Sequence, residues 1–430
     1  MPDVVTPKRD DENTARRRQP FHLLAKPTGA VCNLDCTYCF FLSKDALYPG
    51  DRMRMTDATL EAYIAQLFDS QPDGPVQVAW QGGEPTLMGV DFFRRMVSLV
   101  QTHARPRQIV EHTIQTNATL ITDEWAAFLA ENSFLVGVSI DGPREQHDTY
   151  RVRPNGAGTY DDVVDGWKTL RRHGVECNVL CSVSAANADH GLETYRHFRD
   201  DLGARHIQFI PIVERATPDT LSIAESGWGT GNGRRRILYT QNGDQHTSRS
   251  VSGAQYGEFL CSVYDEWISR DVGEVFVQMF DTTLGAHLGM YSLCVLAPEC
   301  GGALALEHNG DVYSCDHFVE PKHLLGNIHS TPLIDLASSP VQVAFGRSKA
   351  TTLPSTCRQC PVLFACNGGC PKDRFAVTAD GEPGLNHLCE GYLRFFTHSG
   401  PTMRRMAELV STGRFADEVM TGNDGNATRD

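Results

Sequence analysis

Cys32-Asn33-Leu34-Asp35-Cys36-Thr37-Tyr38-Cys39-Phe40-Phe41 decides how the rest of the chain is read. The three cysteines are spaced C-x3-C-x2-C and follow directly on the apolar run Phe21–Lys26. Three thiolates on one loop can hold three irons of a [4Fe–4S] cube, which leaves the fourth iron without a protein ligand and open to a small chelating molecule. A zinc site would need a fourth Cys or His to close its tetrahedron, and this loop has none.

Outward from the loop, short β-branched runs alternate with segments of helical period. Strands are predicted at Phe21–Lys26, Val76–Trp80, Val110–Thr116, Leu135–Ile140, Glu176–Val183 and Arg205–Pro211. Helices are predicted at Asp57–Asp69, Phe92–His103, Asp123–Glu131, Tyr160–His173 and Gly191–Asp201. This alternation implies βαβ units and a parallel sheet, hence the α/β class. A partial barrel and an open doubly wound sheet both satisfy the pattern. In either, ligands bind at the carboxyl ends of the strands, where the cysteine loop sits. Other strand ends there are polar too: Gln81-Gly82-Gly83-Glu84-Pro85, Gln115-Thr116-Asn117 and Ser139-Ile140-Asp141-Gly142-Pro143, with Arg151 beyond. Each alone reads as a helix cap; together they read as a site.

A polar stretch from Glu214 to Gly253 follows the sixth strand and is expected to be a solvated insertion. A helix at Ala254–Ser269 and a strand at Val275–Phe280 come next. The texture then changes. Of 14 cysteines, eight fall in the last third: Cys294, Cys300, Cys315, Cys357, Cys360, Cys366, Cys370 and Cys389. Without an export signal, such cysteines read as metal ligands before disulfides. Eight are enough for two fully ligated [4Fe–4S] clusters, although Cys357-x2-Cys360 alone is equally a zinc knuckle. Their region is short of periodic elements, so metal is expected to supply its order. Cys177, Cys181 and Cys261 are expected to be buried structural thiols.

Bulk properties exclude some partners. A net charge of −14 argues against nucleic acid, which needs clustered positive charge. No apolar run approaches the roughly 18 residues of a membrane span, so no membrane partner is expected. The charged start, Met1–Pro20, lacks a signal's apolar core and reads as a flexible arm on a cytoplasmic protein.

The cysteine loop, with an aromatic before its last Cys, resembles the signature of radical S-adenosylmethionine (SAM) enzymes. That resemblance implies a partial (β/α)6 barrel with S-adenosyl-L-methionine on the open iron. It implies SAM contacts at Tyr38, Gly83, Ser139, Arg151 and Ile207. Thr356-Cys357-Arg358-Gln359-Cys360-Pro361 and Cys366-Asn367-Gly368-Gly369-Cys370-Pro371 resemble the SPASM extension of peptide-modifying members. There the ligand sets interleave. Carried over, Cys294, Cys300, Cys315 and Cys370 hold one auxiliary [4Fe–4S] cluster, and Cys357, Cys360, Cys366 and Cys389 hold the other, three clusters in all with that of Cys32, Cys36 and Cys39.

Residues 21 to 400 resemble anaerobic sulfatase-maturating enzymes, through Leu24-Ala25-Lys26-Pro27, Gln115-Thr116-Asn117-Ala118-Thr119-Leu120 and Leu388-Cys389-Glu390-Gly391-Tyr392. The implied reaction oxidises Cys or Ser in a sulfatase's Cys/Ser-x-Pro-x-Arg motif to Cα-formylglycine. A 5′-deoxyadenosyl radical abstracts hydrogen, and Asp316, directly after Cys315, acts as the base. His317 and His308 are alternative bases. Implied partners are an unfolded or nascent sulfatase and an electron donor such as flavodoxin or ferredoxin. Another SPASM maturase (thioether-forming or quinone-precursor processing) and a non-enzymatic iron–sulfur regulator are the competing readings. Two departures stand out: Phe41 where relatives can carry tyrosine, and Ala118 for the commoner glycine. The expected layout is an arm at 1–20, a barrel at 21–253, a connector at 254–293, a SPASM domain at 294–395 and a C-terminal helix and flexible tail at 396–430.

Overall fold

The computed structural model describes residues 20–229 and 237–421; most of the predicted arm and the end of the tail lie outside them. Six parallel strands form the frame: β1 (His22–Ala25), β2 (Gly74–Trp80), β3 (Gln108–Thr116), β4 (Phe134–Ser139), β5 (Glu176–Val183) and β6 (His206–Pro211). They lie in sequential order and pair in parallel register, for example Val136 with Cys177 and Val179 with Ile207. Helices Asp57–Ser70, Val90–His103, Asp123–Glu131, Tyr160–Arg172 and Gly191–Arg196 follow β1 to β5. Their apolar stripes close one core over the sheet, with Trp80, Phe93, Phe134 and Trp167 buried in it. Threonine side chains start two of these helices: Thr56 accepts from Thr59 N–H and Thr122 from Trp125 N–H, which satisfies amides that lack helical partners. Cys177, Cys181 and Cys261 are buried in the core, as expected.

The polar insertion is not merely solvated. It holds a two-stranded ribbon, β7 (Arg215–Ala216) with β8 (Gln245–His246). At its heart a buried carboxylate, Glu214, pairs with Arg249 at 2.9 Å and accepts from Thr247 Oγ1 at 2.8 Å. Ala216, Ala224, Trp228 and Tyr239 make a small apolar core around it.

Two expectations are corrected beyond this point. Only Phe276–Val277 (β9) of the predicted strand Val275–Phe280 is extended; Gln278–His287 is a helix. The cysteine-rich region also has more apolar order than its sequence suggested. Its strands β10 (Ala303–Leu306), β11 (Asp311–Tyr313) and β12 (Leu324–Asn327) continue the main sheet, β10 pairing in parallel with β1. Among the described residues the sheet therefore runs β12-β11-β10-β1-β2-β3-β4-β5-β6-β9. Leu296, Leu304, Leu306 and Val312 join the barrel's core, so burial orders part of this region. A last hairpin, β13 (Ala376–Val377) with β14 (Pro383–Leu385), precedes the helix Cys389–Ser411. That helix lies so close to Gly253–Arg270 that a Cβ on Gly391 would stand 2.2 Å from Gly253 O, which fixes where Cys389 projects. Among the described residues no helix is long and apolar enough to cross a membrane.

Candidate active site

The pairing of β10 with β1 brings two loops together: the cysteine loop after β1 and the Cys315–Asp316 loop after β11. Between the strand ends lies a cavity of about 220 Å³ lined by Cys32, Cys36, Cys39, Tyr38, Gly83, Ser139 and Arg151. Ile207, expected among the SAM contacts, is not on it. That side chain is buried in the core, and Ile210 and Ile212 reach the cavity instead. Side chains alternate faces along a strand, and Ile207 has the parity of the core face.

Two buried carboxylates set the cavity walls. Glu84 accepts from Thr86 N–H at 3.0 Å, Thr116 Oγ1 at 2.8 Å and Asn117 N–H at 2.8 Å, tying the end of β2 to that of β3. Burial pushes its pKa up against these hydrogen bonds. Asn117 then donates to Asn33 Oδ1 at 2.9 Å, which anchors the cysteine loop. Asp141 accepts from Tyr38 Oη at 2.5 Å, Arg151 Nε at 2.8 Å and Ser182 N–H at 2.8 Å. Behind it, His147 Nδ1 accepts from Asp141 N–H at 3.3 Å, and its Nε2 meets Thr159 Oγ1 at 3.1 Å. Gly83 is required by the close approach of the Val31 backbone, since a Cβ there would stand 2.0 Å from Val31 O.

All the cysteines predicted as ligands are free thiols. Burial pushes Cys32 well up and Cys36 up to about 12. Such thiols stay protonated unless a cation compensates them, which bound iron does. Cys32 lies within Coulombic reach of Cys36 and Cys39, as one cluster requires. In the second region, Cys315 senses Cys370 and Cys294, and Cys300 senses Cys294. Cys366 senses Cys389, Cys357 and Cys360, and Cys389 senses Cys357 and Cys360. These neighbourhoods coincide with the two interleaved sets, so the donor chemistry fits iron–sulfur groups.

Asp316 is partnered in a way the sequence did not announce. Lys26, fully buried, places Nζ 2.7 Å from Asp316 Oδ1 and 3.3 Å from Glu307 Oε1. Burial pulls the ammonium down, but the two carboxylates outweigh it and hold its pKa above the ordinary lysine range. Phe41 covers it, with its ring centroid 4.1 Å from Nζ; an aromatic face at this position suffices without a hydroxyl. A strap from the insertion closes the far side. Lys44 Nζ donates to Tyr239 O at 2.6 Å, Gln241 N–H to Glu320 Oε2 at 3.0 Å and Gln241 Nε2 to His317 O at 3.0 Å. Burial holds His317 down to about 4, and His308 Nε2 lies 3.2 Å from Asp51 Oδ2. Lys26 and Glu307 were missed as site residues, and Glu84 and Asp141, though in strand ends read as a site, were given no role of their own. A lysine closing the apolar run Phe21–Lys26 was the available signal, because lysine is almost never buried unpaired.

Residues 27–196 match the radical SAM superfamily, and 299–361 match the SPASM iron–sulfur cluster-binding domain. A serine-type anaerobic sulfatase-maturating enzyme of Bacteroides thetaiotaomicron is 42% identical over 95% of this chain and 96% of its own. The chain belongs to the anaerobic sulfatase-maturating enzymes. A cysteine-type member from Clostridium perfringens is 31% identical over 91% of this chain and 99% of its own. A solved structure of native anSMEcpe with bound AdoMet superposes with a TM-score of 0.76 at 30% identity, over 90% of this chain and 100% of that one. Another holds AdoMet and the Kp18Cys peptide, with a TM-score of 0.76 at 29% identity over 91% and 99%. Membership of this family makes the chain a radical SAM enzyme, and sets aside the readings as a thioether or quinone-precursor maturase and as a regulator.

Proposed function

We propose that this enzyme oxidises a serine in the Cys/Ser-x-Pro-x-Arg motif of a sulfatase to Cα-formylglycine, with Asp316 as the base. Kinship carries the choice of serine: 42% identity to a serine-type relative, against 31% to a cysteine-type one. On this reading Cys32, Cys36 and Cys39 hold the radical cluster, and Tyr38, Gly83, Ser139 and Arg151 face SAM. The sets Cys294, Cys300, Cys315, Cys370 and Cys357, Cys360, Cys366, Cys389 hold two auxiliary clusters. Cluster and SAM, when bound, supply abstraction of the substrate's Cβ hydrogen.

The chain's own part is positioning and proton transfer. The Asp316 carboxylate is held by Lys26 on one oxygen, and its side chain keeps 14% exposure. It takes the substrate hydroxyl proton, and an auxiliary cluster held by the downstream cysteines would accept the second electron. Asp141 and Glu84 keep the walls rigid, and the Tyr239–Gln241 strap shields the Asp316 loop from water. The substrate is an unfolded or nascent sulfatase, the reductant a cytoplasmic flavodoxin or ferredoxin.

The test uses two peptides that differ only in Ser or Cys at the modified position. Incubated with reconstituted enzyme, the serine peptide should give formylglycine by product mass. Turnover of the cysteine peptide alone would overturn the serine reading.

A further inference from the structure

Two cations, one buried and one half-buried, lie among the eight downstream cysteines, and the reaction as derived above gives them no role. Arg374, half-buried, spends its whole fork on carbonyls. Nε donates to Gly368 O at 2.9 Å, Nη1 to Lys349 O at 2.6 Å, and Nη2 to Asn367 O at 2.9 Å and Gly369 O at 3.3 Å. Lys349, fully buried, likewise donates to Cys294 O at 2.6 Å and Val295 O at 2.8 Å, and also to Ala297 O. Among the described residues, neither makes an ion pair with a carboxylate.

Three of the four carbonyls that Arg374 collects belong to Cys366-Asn367-Gly368-Gly369-Cys370, the turn where the chain passes from one sulfur set to the other. Asn367, Gly368 and Gly369 take φ of +47°, +72° and +61°. These are three successive left-handed residues, a run that only glycine and asparagine adopt readily. Such a turn aims its carbonyls inward, and the planar guanidinium fork matches several acceptors at once. Arg374 lies within Coulombic reach of Cys370 and Cys300 in one set and of Cys357 and Cys366 in the other. Lys349 reaches Cys370, Cys300 and Cys294, all of one set.

We propose that Arg374, with Lys349 behind it, is a positioning residue for the two auxiliary clusters: its fork fixes the Cys366–Cys370 turn, and its charge, shared by both sets, raises the reduction potentials of both. The inference rests on the three-cluster reading above. A cluster gains negative charge on reduction, and a fixed cation in a poorly screened interior favours that gain. Arg374 acts on both couples and Lys349 on that of Cys294, Cys300, Cys315 and Cys370. Higher potentials make both clusters better acceptors for an electron leaving the substrate.

The experiment uses the full chain, reconstituted anaerobically, as wild type, Arg374→Gln, Arg374→Lys and Lys349→Met. Iron per chain is measured first, then midpoint potentials by redox titration of the EPR signals. Arg374→Gln should keep its iron and lower both auxiliary couples at least tenfold in the reduction equilibrium, about 59 mV for a one-electron couple. Arg374→Lys, which keeps the charge, should recover most of that shift, and Lys349→Met should lower one couple only. A mere structural role would leave the potentials unmoved. Full iron with wild-type potentials in Arg374→Gln overturns the proposal. If Arg374→Gln fails to load auxiliary iron, Lys349→Met decides: an unchanged potential there overturns the proposal equally. Wild type holding about four irons, not the roughly twelve of three cubes, takes down the three-cluster reading and this proposal with it.

Discussion

Replacing Lys26 by Met removes the cation that two carboxylates share. Lys26 has a fully buried side chain, Glu307 is 2% exposed and Asp316 14%, so the carboxylates cannot recover hydration once Nζ is gone. Removing one partner of a buried ion pair costs about 3–5 kcal/mol, because the other charge is left uncompensated. With 430 residues and an unfolding entropy of about 2.1 cal/mol/K per residue, the melting entropy is about 0.9 kcal/mol/K. A loss of about 4 kcal/mol then lowers Tm by about 4 °C. Adding Glu307→Gln to Lys26→Met removes one orphaned charge and should return about half of that loss. Melting is followed by circular dichroism on anaerobically reconstituted protein, and formylglycine formation on the same samples. Formylglycine yield should fall in Lys26→Met even at temperatures where the protein is fully folded, because Asp316 loses the ion pair that orients it. A Tm unchanged by Lys26→Met, or a double variant no better than the single, would refute the coupling of these three residues.

Three further outcomes are expected. Wild-type protein should bind about twelve irons, and Ala at Cys32, Cys36 and Cys39 together should remove about a third of them; zinc in stoichiometric amount would contradict this. Asp316→Asn should bind and cleave SAM yet lose formylglycine formation by about 10²–10⁴-fold, and His317→Gln should not; the reverse result would transfer the role to His317. His147 is fully buried and burial depresses its pKa from 6.5 to about 4, so its stabilisation is complete above pH 6.5. It is lost as pH falls from 6.5 toward 4, reaching on the order of 3 kcal/mol. The melting temperature of wild type should therefore fall faster with acid than that of His147→Gln, and parallel pH profiles would exclude this assignment.

What could be read from the sequence follows from how local each signal is. Glu176–Val183 was expected as a strand and is one, because a run long enough to show its apolar pattern carries its own identity. The strands β10 to β12, of three or four residues each, are too short for any period. They are strands because β1 offers them an edge, a fact lying some three hundred residues upstream. Val275–Phe280 failed for a related reason: a short apolar run is ambiguous between helix and strand, and here the helix Gln278–His287 takes all but its first residues. At Ile207 the ambiguity was one of parity. In β6 both faces carry apolar side chains, Ile207 and Phe209 toward the core and Ile210 toward the cavity, so hydropathy cannot say which isoleucine meets the ligand.

The site divides along the same line. Cysteines announce themselves because few other roles account for a C-x3-C-x2-C loop, whereas the charges around them show at most as an odd residue, as Lys26 does at the end of an apolar run. Lys26, Arg374 and Lys349 are ordinary cations until the fold removes their water. Their partners then differ in kind. Lys26 is met by two carboxylates, a pairing that fixes the position of Asp316. Arg374 and Lys349 are met by carbonyls, which orient a cation without neutralising it. On the mechanism proposed above, a cation paired with carboxylates serves geometry at the base, while a cation met by carbonyls beside the sulfur sets serves potential. On that reading the difference in partners, more than the presence of the cations, separates proton transfer at Asp316 from electron transfer through the downstream cysteines.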